Sequence, residues 1–172
     1  MLTRLPIVAA IAAVSLAFVF LTGCGPDGSR PGGSGPGASA VGLVPPRPAP
    51  ATARRCAALA GLLPSRLDGH ARRAANPSSP LTAAWGDPPI ALRCGVPLPV
   101  ALTPTAELTV VNGVSWFPEP PGSATPTRFT EVGREAYVEV TIPARYAPAG
   151  PILVAISNML APAIPAKPGG KI

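Results

Sequence analysis

Three cysteines, one histidine and eight carboxylates are the residues of this 172-residue chain whose chemistry could matter. A transition-metal site needs several His, Cys or acidic ligands at suitable spacing. A single His does not supply them, and neither a metal nor a cofactor is implied. Ser65, Asp68 and His70 are the right types for a nucleophile, an orienting acid and a base. They fall on one short stretch, whereas such triads draw on separate elements, so the grouping reads as coincidence. Glu131, Glu135 and Glu139 are acids that could pair for acid–base work, but the expected hairpin puts them on a wet face. No Gly-rich phosphate or dinucleotide loop occurs. The polar pair of most interest is Asp87 with Arg93. One reading is a small recognition site of Trp85, Asp87, Arg93, Trp116 and Arg134. The other is an Asp that steadies its turn and an Arg that pairs with a Glu on the next strand.

The remaining candidate is Cys24. Arg4 precedes an apolar run over residues 5–21, and Leu21-Thr22-Gly23-Cys24 closes it. This is the layout of a signal peptide that ends in a lipobox, with cleavage before Cys24 and a diacylglycerol on its sulfur. The run is short for a transmembrane span, which wants about 20 apolar residues. Two acyl chains anchor stably where one does not. Acylation of Cys24 also leaves two of the three cysteines free to pair.

Pro and Gly number 26 and 18, and seven of each lie within residues 25–50. That tract has no apolar periodicity and reads as a disordered tether. Its reach is about 28 Å as a flexible coil and about 80 Å as stiff polyproline. The expected organisation is a lipoprotein signal peptide over 1–23, lipidated Cys24 and tether over 24–50, a compact domain over 51–162 and a flexible tail over 163–172. A domain of that size can bury its own core. The formal net charge of +6 is concentrated in the first half, where Arg dominates. A basic face near an anchor could meet anionic headgroups, although solvated surface Arg is the plainer reading. Nucleic acid is not an expected partner, because no aromatics interleave the basic residues.

Within the domain, residues 51–63 predict a helix with Thr52 as N-cap, a face of Cys56, Leu59, Ala60 and Leu63, and Pro64 as its stop. Residues 66–80 are polar and read as a loop. Trp85-Gly86-Asp87-Pro88-Pro89 predicts a tight turn before a strand on which Ile90, Leu92 and Cys94 share a face. Cys56 and Cys94 then both point inward. A disulfide between them closes about 38 residues and contributes about 4 kcal/mol by loop entropy. Asn112-Gly113 between apolar runs predicts a type I′ hairpin closed by Val111 and Val114, with Trp116 in the core. Residues 127–132 and 136–142 predict a second hairpin, with Val138, Val140 and Ile142 inward. Gly150-Pro151 opens a last helix with a stripe of Ile152, Ile156, Met159 and Leu160, ended by Pro162. The expected fold class is α+β: about five short strands in a mainly antiparallel sheet, with an N-terminal and a C-terminal helix on one face and the other face wet.

Several of these segments, Cys56-Ala57-Ala58-Leu59, Trp85-Gly86-Asp87-Pro88-Pro89-Ile90, Leu92-Arg93-Cys94-Gly95-Val96, Asn112-Gly113-Val114-Ser115-Trp116 and Val132-Gly133-Arg134, resemble the domain of unknown function 3515 family of actinobacterial lipoproteins and secreted proteins. The likeness covers about residues 54–161. It implies an envelope-associated α+β domain with two paired cysteines, and it implies no activity.

The expectation for function is a lipid-anchored protein on the extracytoplasmic face of the cell membrane. Its domain acts as a non-catalytic binding or assembly module. The partners are the bilayer, through Cys24, and an envelope protein or wall polymer. The alternative is a small-ligand-binding lipoprotein that uses the Trp85/Asp87/Arg93 turn. A hydrolase of wall material has the weakest support.

Overall fold

The structure, a computed structural model, describes residues 39–125 and 127–170. The expected signal peptide, Cys24 and most of the expected tether lie outside the described residues. Among the described residues ten strands and two α-helices follow one another: β1 (Val41–Gly42), α1 (Pro50–Ala60), β2 (Arg66–Leu67), β3 (His70–Arg73), β4 (Ala75–Asn76), β5 (Thr82–Trp85), β6 (Ile90–Cys94), β7 (Thr109–Val111), β8 (Val114–Glu119), β9 (Arg128–Glu131), β10 (Val138–Thr141) and α2 (Gly150–Ala163). Eight strands form one sheet in the order β2-β3-β5-β6-β10-β9-β8-β7, and every pairing in it is antiparallel. The α+β expectation holds, with more strands than the five expected.

Residues directly opposite on antiparallel strands share a face, so the register sorts the side chains. Ala83, Leu92, Val140, Phe129 and Pro118 form one row across β5, β6, β10, β9 and β8. The first four of these are buried, and they share a core with Ile152, Leu153, Ile156 and Leu160 of α2 and with Cys56 and Leu59 of α1. Both helices therefore lie on that face. Thr82, Arg93, Glu139, Thr130 and Phe117 form the opposing row. This second face is not simply wet, since Phe117, Thr130 and Ala84 are buried there.

The Cys56–Cys94 disulfide joins the middle of α1 to the end of β6, with the two Cα atoms 5.6 Å apart. The Asn112-Gly113 hairpin forms as expected, with positive φ at both residues and Val111 opposite Val114. β9 and β10 pair with Glu139 opposite Thr130, and Val138, Val140 and Ile142 point inward.

Five local expectations are corrected. The first helix starts at Pro50 behind an Ala49 N-cap that has no side-chain bond, so Thr52 is inside it. It ends at Ala60 with Gly61 as its C-cap, before Pro64 can act. Residues 66–80 are not a loop: Asp68-Gly69 turns a tight hairpin between β2 and β3, again with positive φ at both positions. Pro162 does not end α2, which continues to Ala163. In the last turn a proline forfeits only one helical bond, and Ile164 N–H still donates to the Leu160 carbonyl at 2.9 Å.

The last two corrections concern the ends. The stretch before α1 is docked, not free, from Val41 onward. Val41 and Leu43 N–H donate to the Ala74 and Asn76 carbonyls at 2.8 and 3.0 Å, so that β1 runs parallel to β4. Pro48 sits against Gly95. The segment after Ala163 is held as well. Ile164 is fully buried, Ala166 bridges to Arg134, and Lys167 N–H donates to the Gly133 carbonyl at 2.8 Å.

Candidate functional site

Trp85 and Arg93 do not converge. Trp85 stands opposite Ile90 and so faces the helices, whereas Arg93 stands opposite Thr82 on the other face. The Trp85 ring is fully buried. Its Nε1–H donates to the Pro64 carbonyl at 2.9 Å, and the Arg72 guanidinium covers it 4.8 Å from the ring centre. Arg93 donates to Glu139 at 3.1 Å, the cross-strand pair that the plainer reading anticipated.

Asp87 is most of the way exposed and accepts from Arg73 at 3.3 Å. Three further bonds fasten its turn: Arg73 to the Gly86 carbonyl at 3.1 Å, Arg145 to the Asp87 carbonyl at 3.4 Å, and the Tyr146 hydroxyl to the Pro88 carbonyl at 2.9 Å. His70 packs its ring against Tyr146, with centroids 4.3 Å apart. The turn is thereby fastened to β3 and to the stretch that precedes α2.

Trp116 belongs to the core, and its Nε1–H donates to Ser157 Oγ on α2 at 3.0 Å. Arg134 is buried too, and it donates to the Ile164 carbonyl at 2.7 Å. The five residues considered together in the recognition reading thus occupy three separate environments. Each of them has a structural partner.

A different residue stands out. Glu131 is 1% exposed, and neither carboxylate oxygen has a hydrogen-bond partner among the described residues. It stands opposite Trp116 on the helix side of the sheet, not on a wet face with Glu135 and Glu139. Those two pair instead with Arg55 at 2.7 Å and Arg93 at 3.1 Å. Burial pushes the Glu131 carboxyl up to about 8, opposed by the positive charges of Arg134 and Lys167. Arg134 Nε comes no closer than 3.8 Å. Burial thus favours the protonated form of this carboxyl near neutral pH. The period of two in Arg128-Phe129-Thr130-Glu131 carries the signal, because a strand that turns Phe129 inward must turn Glu131 inward as well.

The hollows differ in chemistry. One of about 620 Å³ is basic, with Arg54, Arg55 and Lys167 around Glu135. Another of about 810 Å³ lies where Phe117 meets Glu107 and Leu108. A third, of about 520 Å³, has no ionisable side chain in its walls; Val111, Phe129, Ile142 and Leu153 are among them. Among the described residues no group of three His, Cys, Asp or Glu side chains could hold a metal ion. No described helix is long and apolar enough to cross a membrane.

Fold and site together define a small disulfide-linked α+β domain built on one antiparallel sheet. The chain belongs to the family described as "Protein of unknown function (DUF3515)", whose family model matches residues 7–169. The match runs past residues 54–161 at both ends, and so includes the docked segment before α1 and most of the tail. No curated protein and no solved structure matches the chain.

Proposed function

We propose that the protein is a membrane-anchored extracytoplasmic lipoprotein whose folded domain is a non-catalytic binding or assembly module of the cell envelope. The observation that carries this reading is the Cys56–Cys94 disulfide at the centre of the core. Structural disulfides persist in oxidising compartments and are rare in reducing ones. It accounts for two of the three cysteines and leaves Cys24, at the end of the apolar N-terminal run, as the acylation point. The lipid holds the domain at the bilayer, and its partners are an envelope protein or a wall polymer. The non-catalytic part of the reading is supported by the neighbours of the polar side chains. Asp87, Arg93 and Arg134 are engaged with structural groups.

Fractionation of cells tests this reading. The wild-type chain is expected in the membrane fraction and accessible to protease added to intact spheroplasts. The Cys24→Ala variant is expected to lose its lipid and its detergent-phase partition. A wild-type chain found in the cytosol with free thiols would overturn the reading.

A further inference from the structure

The cleft of about 520 Å³ lies on the helix side of the sheet, where β7, β9 and the end of β10 meet the residues that lead into α2. Its floor is Val111, Phe129, Ile142 and Leu153, and Ala144 and Ala147 stand at its exposed rim. Its size falls in the range of small-molecule sites, about 300–1,000 Å³. Its chemistry narrows the ligand. The floor is aliphatic apart from one ring, and the rest of the wall is mostly Ala, Pro and Gly. The side-chain polar groups are the hydroxyls of Thr109 and Thr125. A charged ligand would find no counter-ion there, and a buried unpaired charge is costly. A ligand rich in hydrogen-bonding groups would find too few partners. A linear hydrocarbon meets neither penalty and gains from every CH₂ it removes from water. The two other hollows described above do not share this character, since they carry Glu107 in one case and Arg54, Arg55, Glu135 and Lys167 in the other.

We infer that this cleft binds a hydrocarbon chain, supplied by the acyl group of a lipid. The apolar walls carry the hydrocarbon assignment. Its source in a lipid rests on the membrane-anchored reading. Small-ligand binding thus moves away from the Trp85/Asp87/Arg93 turn to a place where the fold leaves room.

The test uses the domain from Gly37 onward, which is a compact unit with its own core and disulfide. Hexanol, octanol and decanol are titrated by calorimetry in detergent-free buffer. Saturable binding is expected, about fourfold tighter for each added CH₂ until the cleft is filled. Ala144→Phe and Ala147→Phe place a ring in the cleft from exposed rim positions and are expected to weaken decanol binding at least tenfold. Ala101→Phe, in the hollow beside Phe117, is expected to leave it unchanged. Unaltered thermal transitions in the three variants show that each folds.

Absence of saturable decanol binding would overturn the inference, as would equal binding by all three variants. Neither result bears on whether Cys24 is acylated, so the two readings fail separately. Repeating the titration on the full chain with Cys24 intact and with Cys24→Ala separates two sources. Equal affinity assigns the chain to a free lipid. Weaker binding only when Cys24 is acylated assigns it to the protein's own anchor.

Discussion

Replacing Glu131 by Gln should abolish a pH dependence of stability that runs opposite to the usual one. The carboxyl has an ordinary value of 4.5 and is raised to about 8 in the folded chain, first by burial. Between these values the folded state keeps a proton that the unfolded chain has released. The stabilisation is therefore fully present below about pH 4.5 and is lost as pH rises through about 8. The slope is about 1.4 kcal/mol per pH unit, so the loss across the window is at most about 5 kcal/mol. Water entry and movement of Arg134 or Lys167 toward the carboxylate would reduce it. Against a domain stability of about 5–15 kcal/mol the effect is large. The assay is urea unfolding of the oxidised protein at pH 5, 7 and 8.5. The wild-type midpoint should fall steadily across the series. Glu131→Gln, which is close in shape and cannot ionise, should show a nearly flat series and exceed wild type at pH 8.5. A wild type as stable at pH 8.5 as at pH 5, or a Gln variant with the same fall, would refute the buried neutral carboxyl.

Removing the Cys56–Cys94 link by Cys56→Ser with Cys94→Ser should lower stability by about 4 kcal/mol, read as the urea midpoint against the oxidised wild type. Adding reductant should lower the wild type toward the double variant and leave the variant unmoved. Gly95 has φ +87°, and an added Cβ would meet Pro48 Cγ at 2.7 Å. Gly95→Ala should therefore cost about 1–3 kcal/mol and loosen residues 41–50, seen as faster amide exchange of Val41 and Leu43. Unchanged exchange there would show that the segment does not depend on this contact. Trp116→Phe removes the donor to buried Ser157 Oγ and should cost about 1–3 kcal/mol by the same urea measurement.

What could be read from the chain were the features whose signal is local. Asn112-Gly113 demands positive φ and appears between apolar runs, so the hairpin is legible. Alternation over 138–142 identifies the inward face, and the inward directions of Cys56 and Cys94 indicate the disulfide. The hairpin at Asp68-Gly69 has the same turn chemistry, but the strand after it is His70-Ala71-Arg72-Arg73. A strand with mostly polar side chains, paired between β2 and β5, shows no apolar alternation, and the Asp-Gly pair alone would have identified the turn. The docked ends rest on long-range backbone bonds, from Val41 and Leu43 to the 74–76 stretch and between Gly133 and Lys167. No composition rule reports such bonds. Trp85, Asp87 and Arg93 lie close in sequence, but the pleat separates Trp85 from Arg93, and that separation follows only from the register of β5 against β6. The apolar cleft is assembled from segments between residues 109 and 153, so its existence is a property of the fold.

The measurement that bears most directly on the central claim is the intact mass of the protein extracted from membranes, taken with and without reduction before alkylation. The expected result is loss of residues 1–23, an added diacylglycerol mass on Cys24, and two thiols that alkylate only after reduction. An unprocessed N-terminus with thiols that alkylate directly would contradict both the anchor and the oxidising compartment.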